Sequence, residues 1–143
     1  MKENYSIIEG KPPEINLINE KNNGEMVLKL INEKLVLSVH DVSSGGLILA
    51  LGEMCINSNL GVKVEKPKKL RNLSEYLFGE DQGRYILEID QKNLKNVEKI
   101  LSNGNIYFEK LGFTQQKYFE IEGEMKTDIN VLLKKNNQWY NNY

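Results

Sequence analysis

Apolar positions recur along this chain at two spacings, and the switching between them lays out an alternation of helices and strands. Ile15, Ile18, Met26, Val27, Leu30 and Ile31 fall mostly at helical spacing and predict a helix over roughly 17–33. Asn22-Asn23-Gly24 weakens its middle, where glycine alone costs about 1 kcal/mol relative to alanine. Leu35-Val36-Leu37-Ser38-Val39 is apolar on both faces, the pattern of a buried central strand. A second helix runs through Leu47, Ile48, Ala50, Leu51, Met54, Cys55 and Ile56 and closes at Asn57-Ser58-Asn59. Gly61-Val62-Lys63-Val64-Glu65 alternates as a half-buried strand does. After a Lys/Pro-rich connector, Leu70, Leu73, Tyr76, Leu77 and Phe78 read as a short helix, and Tyr85-Ile86-Leu87-Glu88-Ile89 as a strand. Leu94, Val97, Ile100 and Leu101 place a helix over 91–102 with Asn103-Gly104 as its stop.

Two further strands are expected at 105–113 and 117–122, then a short helix through Val131, Leu132 and Leu133 before an Asn-rich tail frays. Gly10-Lys11-Pro12-Pro13 favours extended backbone, so residues 1–16 read as a lead-in and 17–143 as a single domain. The order αβαβ(α)βαββ gives an α/β or α+β fold class: a mixed β-sheet with helices packed on it.

Composition narrows the function classes. With 143 residues, 40% of them hydrophobic, the chain can bury one core. Nineteen Lys plus Arg against twenty Asp plus Glu leave a net charge of -1, with no electrostatic reason to coat nucleic acid or an anionic membrane. Arg71 and Arg84 are the only arginines. A single cysteine, Cys55, excludes an internal disulfide framework and a cysteine-based zinc site, and a single histidine, His40, excludes a His-rich metal centre. No apolar run approaches the roughly 20 residues of a membrane span, and Met1-Lys2-Glu3-Asn4-Tyr5 is too polar for a signal peptide. The expectation is a soluble cytoplasmic chain with no nucleic-acid or membrane partner.

Two turns carry the candidate chemistry. His40-Asp41-Val42-Ser43-Ser44-Gly45-Gly46 joins a strand end to a helix start, where small residues let backbone N–H groups approach an anion and the helix dipole favours negative charge. Asp41 there could ligate Mg²⁺, which takes one or two carboxylates and keeps its waters. The competing reading is a tight turn with Ser43 or Ser44 as helix N-cap. His40 has no second histidine and no plausible cysteine partner to form a dyad, and a lone histidine beside a strand is more often structural. Glu80-Asp81-Gln82-Gly83-Arg84 could bind hydroxyls, amides or a metal-bound nucleotide, or form a solvated turn with Arg84 paired to Glu80. Lys66 to Arg71 and Lys134-Lys135 read as solvated faces, and the aromatics from 85 to 119 as core and sheet residues.

Together these segments are far more specific. His40-Asp41-Val42-Ser43-Ser44-Gly45-Gly46-Leu47, Ala50-Leu51-Gly52-Glu53-Met54, Leu60-Gly61 and Leu77-Phe78-Gly79-Glu80-Asp81-Gln82-Gly83-Arg84 resemble the last domain of the synthetase subunit of the phosphoribosylformylglycinamidine synthases. Gly10-Lys11-Pro12-Pro13-Glu14-Ile15-Asn16-Leu17 and Glu20-Lys21-Asn22-Asn23-Gly24 resemble the stretch leading into that domain, so the likeness runs from about 10 to 123. The wording of both turns sets the chain apart from aminoimidazole ribonucleotide synthase and selenophosphate synthetase, relatives in the same superfamily.

The resemblance implies an aminoimidazole ribonucleotide synthase C-terminal-domain-like fold and a place in an ATP-dependent C–N ligase of purine biosynthesis. That enzyme uses ATP and glutamine-derived ammonia to convert formylglycinamide ribonucleotide to the amidine. Its synthetase is a pseudo-duplicated chain, of which this looks like the C-terminal domain of the second half, inactive when isolated. The implied cofactors are ATP or ADP and Mg²⁺. The implied partners are the remaining synthetase domains, the glutaminase and small accessory subunits. By pseudosymmetry Asp41 resembles a Mg²⁺ ligand, while His40, Ser43, Gly45, Gly46, Glu80, Asp81, Gln82 and Arg84 resemble an auxiliary nucleotide- or substrate-facing set; no residue is implied to be catalytic. Ser44 stands where the family commonly has an acidic residue, and Asp81 where its triplet has serine. The alternatives are a non-catalytic structural or subunit-docking module of the same enzyme, or a domain of another member of the same ATP-dependent superfamily. A domain that packs against a partner domain would leave an apolar face exposed when alone.

Overall fold

A computed structural model of the chain describes residues 14–67, 69 and 72–141, with the side chains at 139–141 excepted. Most of the expected lead-in, and Leu70 in the expected short helix, lie outside the described residues. Helix α1 (Leu17–Asn32) starts where the side chain of Asn16 accepts the Asn19 N–H at 3.0 Å. Strand β1 (Ser38–Asp41), helix α2 (Gly46–Ser58), strand β2 (Gly61–Val64), helix α3 (Leu73–Phe78) and strand β3 (Tyr85–Glu88) follow. Helix α4 (Leu94–Asn103) precedes strands β4 (Gly112–Gln115), β5 (Tyr118–Ile121) and β6 (Met125–Asp128), and helix α5 (Ile129–Asn141) ends the order.

The expected mixed sheet is present as a four-stranded layer, β4-β2-β5-β6, in which β2 is parallel to β5 and antiparallel to β4. The remaining two strands, β1 and β3, form a separate antiparallel pair. This corrects the reading of 35–39 as a buried central strand. The strand begins at Ser38, its residues are half-buried or exposed, and Leu37 is 65% exposed. Among the described residues β1 has a partner on one edge only, so the apolar run is not enclosed. The interior strands of the larger sheet are β2 and β5, with Val62, Val64, Phe119 and Ile121 buried.

Two other boundaries differ. The expected strand at 105–113 is displaced to Gly112–Gln115: Ile106 packs with the α1–α4 cluster while Leu111 packs with the main core, so the chain crosses between them and pairs only from Leu111, whose carbonyl accepts the Glu65 N–H at 2.8 Å. Strand β6 was not expected, since Met125-Lys126-Thr127-Asp128 carries one apolar residue and sits at a sheet edge. Helix α5 also starts earlier and runs longer than the short helix expected in the tail.

The main core is built from α2 (Leu47, Ala50, Leu51, Cys55), β2, Phe119 and Ile121 of β5, Leu77, Ile86 and Ile129. A smaller cluster of Leu30, Val97 and Leu101 fastens α1 to α4. No helix among the described residues is long and apolar enough to cross a membrane.

Candidate functional site

The antiparallel register of β1 and β3 decides where the two turns lie. Asp41 stands opposite Tyr85 and His40 opposite Ile86, so the turn leaving β1 and the turn entering β3 share one end of the pair. Val42 extends the ladder by donating its N–H to the Arg84 carbonyl at 2.9 Å. Beyond that point a side chain takes over: Glu80 Oε1 accepts the Gly45 N–H at 2.8 Å.

That contact resolves the question of the cap. The N-cap position of α2 is Gly45, at φ 81°, with no cap from a neighbouring side chain and no acidic residue in the first turn. Neither Ser43 nor Ser44 fills the role; both are exposed, and the Ser43 carbonyl accepts the Gly46 N–H at 3.0 Å. The carboxylate that meets the positive end of the helix dipole comes instead from Glu80, 35 residues along the chain.

Arg84 does not pair with Glu80. Its Nη1 donates to the Gly79 carbonyl at 3.2 Å and to Asp81 Oδ2 at 3.4 Å, folding the second turn onto itself. Gln82 is exposed, at the edge of the cleft that opens behind the turn. Asn23 of α1 braces the same turn, its Nδ2 donating to the Gly83 carbonyl at 2.9 Å. His40 is held between Glu53, whose Oε2 lies 3.1 Å from Nε2, and the Asp41 carbonyl, 2.6 Å from Nδ1. Glu53 and Asn23 were not among the expected site residues. Both sit on helices, and only the tertiary packing of α1 and α2 shows what they reach.

The structure thus brings Gly45 into contact with Glu80 and seats Gly46 against the Leu77–Phe78 backbone, with Arg84 and Asp81 paired in the same turn as Glu80. His40 turns toward α2, Ser43 and Gln82 face solvent, and the Asp41 side chain is 66% exposed with His40 as its charge neighbour at 3.7 Å. Among the described residues no three His, Cys, Asp or Glu side chains converge for a metal ion. A lone exposed carboxylate and a helix N-terminus already bonded to Glu80 do not by themselves compose a Mg²⁺ or nucleotide-phosphate site.

Behind the rim a cleft of about 910 Å³ opens between the strand pair and the larger sheet, its walls including Leu51, Cys55, Val62, Tyr76, Ile86 and Phe108. Burial, and secondarily the charge of Glu88, push the Cys55 thiol up to about 11. At neutral pH it is fully protonated and a poor nucleophile. A thiol reagent at pH 7.5 is therefore expected to leave Cys55 unmodified in the native chain and to label it in denaturant; rapid native labelling would contradict its placement.

The family description "AIR synthase related protein, C-terminal domain" matches residues 2–118. The chain belongs to this family. It is 50% identical over 134 residues to the phosphoribosylformylglycinamidine synthase subunit PurL of Pelagibacter ubique, a match covering 94% of this chain and 18% of that protein. The PurL subunit of Rhodopseudomonas palustris (strain HaA2) is 33% identical over 135 residues, again 94% of this chain and 18% of the relative. The chain therefore spans a little under a fifth of the length of the curated relatives it matches.

Two solved structures share the fold. Thermotoga maritima PurL complexed with FGAR gives a TM-score of 0.68 at 20% identity, covering 80% of this chain and 21% of that one. PurLQS from Thermotoga maritima gives 0.71 at 19% identity, covering 92% and 24%. The mixed-sheet α/β class and the family resemblance expected from the two turns are both borne out.

Proposed function

We propose that this chain is the C-terminal domain of the synthetase subunit of a phosphoribosylformylglycinamidine synthase. Such an enzyme is an ATP-dependent C–N ligase of cytoplasmic purine biosynthesis. It joins ammonia released from glutamine to formylglycinamide ribonucleotide, with ATP activating the formamide oxygen. The observation that carries this reading is 50% identity to a PurL subunit across 94% of the chain. Its partners are then the remaining synthetase domains, the glutaminase and the small accessory subunits.

Within that enzyme the rim acts as a structural joint. Glu80 occupies the anion position at the start of α2, and Arg84 and Asp81 satisfy each other, so the turns are closed without a ligand. On its own the chain is inactive.

The test replaces the matching segment of the Pelagibacter ubique subunit with this chain and assays ATP-dependent amidine formation in the assembled enzyme. The chimera is expected to turn over substrate; a folded, assembled chimera without activity would contradict the proposal. Asp41→Ala in the same chimera is expected to leave its Mg²⁺-ADP content unchanged. A fall in bound nucleotide would return Asp41 to an auxiliary nucleotide site.

A further inference from the structure

The chain contains two Asn-Gly pairs, Asn23-Gly24 and Asn103-Gly104. In such a pair the backbone nitrogen of the glycine can attack Cγ of the asparagine before it. A glycine has no Cβ to block the approach and turns freely into the geometry required. A bond forms between that nitrogen and Cγ and the Cγ–Nδ2 bond breaks. Nδ2 leaves as ammonia with the proton that the glycine amide gives up, and a five-membered succinimide remains. Water then opens either ring carbonyl to give aspartate or isoaspartate. The reaction requires the glycine N–H to leave its hydrogen bond and the asparagine to leave helical backbone.

The fold treats the two pairs differently. Asn23 and Gly24 lie inside α1, with more than a turn of helix on either side. Asn23 Nδ2 also donates to the Gly83 carbonyl at 2.9 Å, which fixes the side-chain amide that would be attacked. Asn103 is the last residue of α4 and is exposed, and Gly104 is the cap. The bond from the Gly104 N–H to the Ile100 carbonyl, at 3.0 Å, belongs to the final turn. Helix ends open at much lower free energy than packed interiors.

We propose that Asn103-Gly104 is a site of succinimide formation in the folded chain, while Asn23-Gly24 is protected by the fold. The product acts on the junction of α1 with α4. A Cβ at Gly104 would collide with the Met26 methyl carbon, so the backbone there is seated directly on α1. Ile106 packs in the same cluster, its N–H bonded to the Leu101 carbonyl at 3.0 Å. Isoaspartate adds a carbon to the backbone between positions 103 and 104 and displaces that seat. Either acid also places negative charge at the negative end of the helix dipole. The chain therefore carries a slow, irreversible loosening reaction at the stop of α4.

The experiment incubates the chain at pH 8.5 and 37 °C, native and in urea, and follows the tryptic peptides 22–29 and 100–110 by mass. In urea the two are expected to gain acid at rates within about twofold of each other, and in the native chain 100–110 should react at least about tenfold faster than 22–29. Asn103→Gln, whose longer side chain disfavours the ring, should abolish acid formation in native 100–110 and leave 22–29 unchanged. Equal native rates for the two peptides would overturn the proposal. So would a native 100–110 still free of acid when the urea sample has fully reacted. An undiminished native rate in the Asn103→Gln chain would place the reaction at Asn105 and overturn it as well.

Discussion

Replacing Gly46 by alanine is expected to destabilise the chain by at least about 3 kcal/mol and to part the two turns. Gly46 is the first residue of α2 and sits at φ 69°, where a Cβ is strained in any surroundings. Space is short as well: an added methyl would lie 2.6 Å from the Phe78 carbonyl carbon and 2.8 Å from the Leu77 oxygen. Those are backbone atoms at the end of α3, so no side chain can swing aside to relieve the contact. The relief available is to push α3 away from α2, which moves Gly79 and Glu80 and lengthens the Gly45 N–H to Glu80 bond.

Urea unfolding measures the effect as a lower midpoint at unchanged slope. The control is Gly52→Ala, six residues on in the same helix. Nothing lies within 4 Å of that position, so the usual helix preference for alanine should stabilise by about 0.5–1 kcal/mol. If both glycines responded alike, the close seating of α2 on α3 would be wrong.

The second large effect is expected at Phe119, where truncation to alanine should cost about 3–5 kcal/mol. Phe119 is 2% exposed and lies on β5 between β2 and β6, level with Val62 and Thr127. Its ring fills the main core from the middle of the larger sheet, and the surrounding strands are paired and cannot collapse into the void. Against a typical total of about 5–15 kcal/mol, that loss leaves the domain marginal. Phe113 on β4 provides the contrast. It is 49% exposed, with Lys110 Nζ lying 5.4 Å from its ring centre, and its alanine variant should fall within about 0.5 kcal/mol of wild type. Equal losses at 113 and 119 would mean that the sheet is packed through its other face.

The helices were largely legible in the sequence because their apolar residues recur at helical spacing, and α2, α3 and α4 end at the turn formers Asn59, Gly79 and Gly104. Helix α2 runs from Gly46 to an Asn59 C-cap in the left-handed region, close to the limits its pattern suggests. The strands were harder to place. Leu35 to Val39 reads as a central strand because every residue but Ser38 is apolar, yet that run records packing demand and not the number of hydrogen-bonded neighbours. Part of the demand is met by the α1–α4 cluster, which takes Leu35 and Val36, while Leu37 stays exposed. Strand β6 escaped notice for the opposite reason: an edge strand of Met, Lys, Thr and Asp has no apolar alternation to see.

At the rim, the residue types were visible but the pairings were not. Glu80 and Arg84 stand four apart in a polar turn and invite a local ion pair. The structure instead sends Glu80 to the helix start across 35 residues and gives Arg84 to Asp81 and the Gly79 carbonyl. A long-range bond of this kind depends on the register of β1 against β3, which no local pattern encodes. Glu53 beside His40 and Asn23 beneath Gly83 escaped notice for the same reason.

Glu80 closes the start of α2, and amide hydrogen exchange at Gly45 reads that bond directly. In the wild-type chain the Gly45 N–H is expected to exchange slowly. Glu80→Ala should release it while the amides in the middle of α2 stay protected, at a cost of about 1 kcal/mol in stability. Glu80→Gln, whose amide oxygen can still accept, should lie between the two. Fast exchange of Gly45 in the wild type, or the same rate in all three chains, would contradict the account.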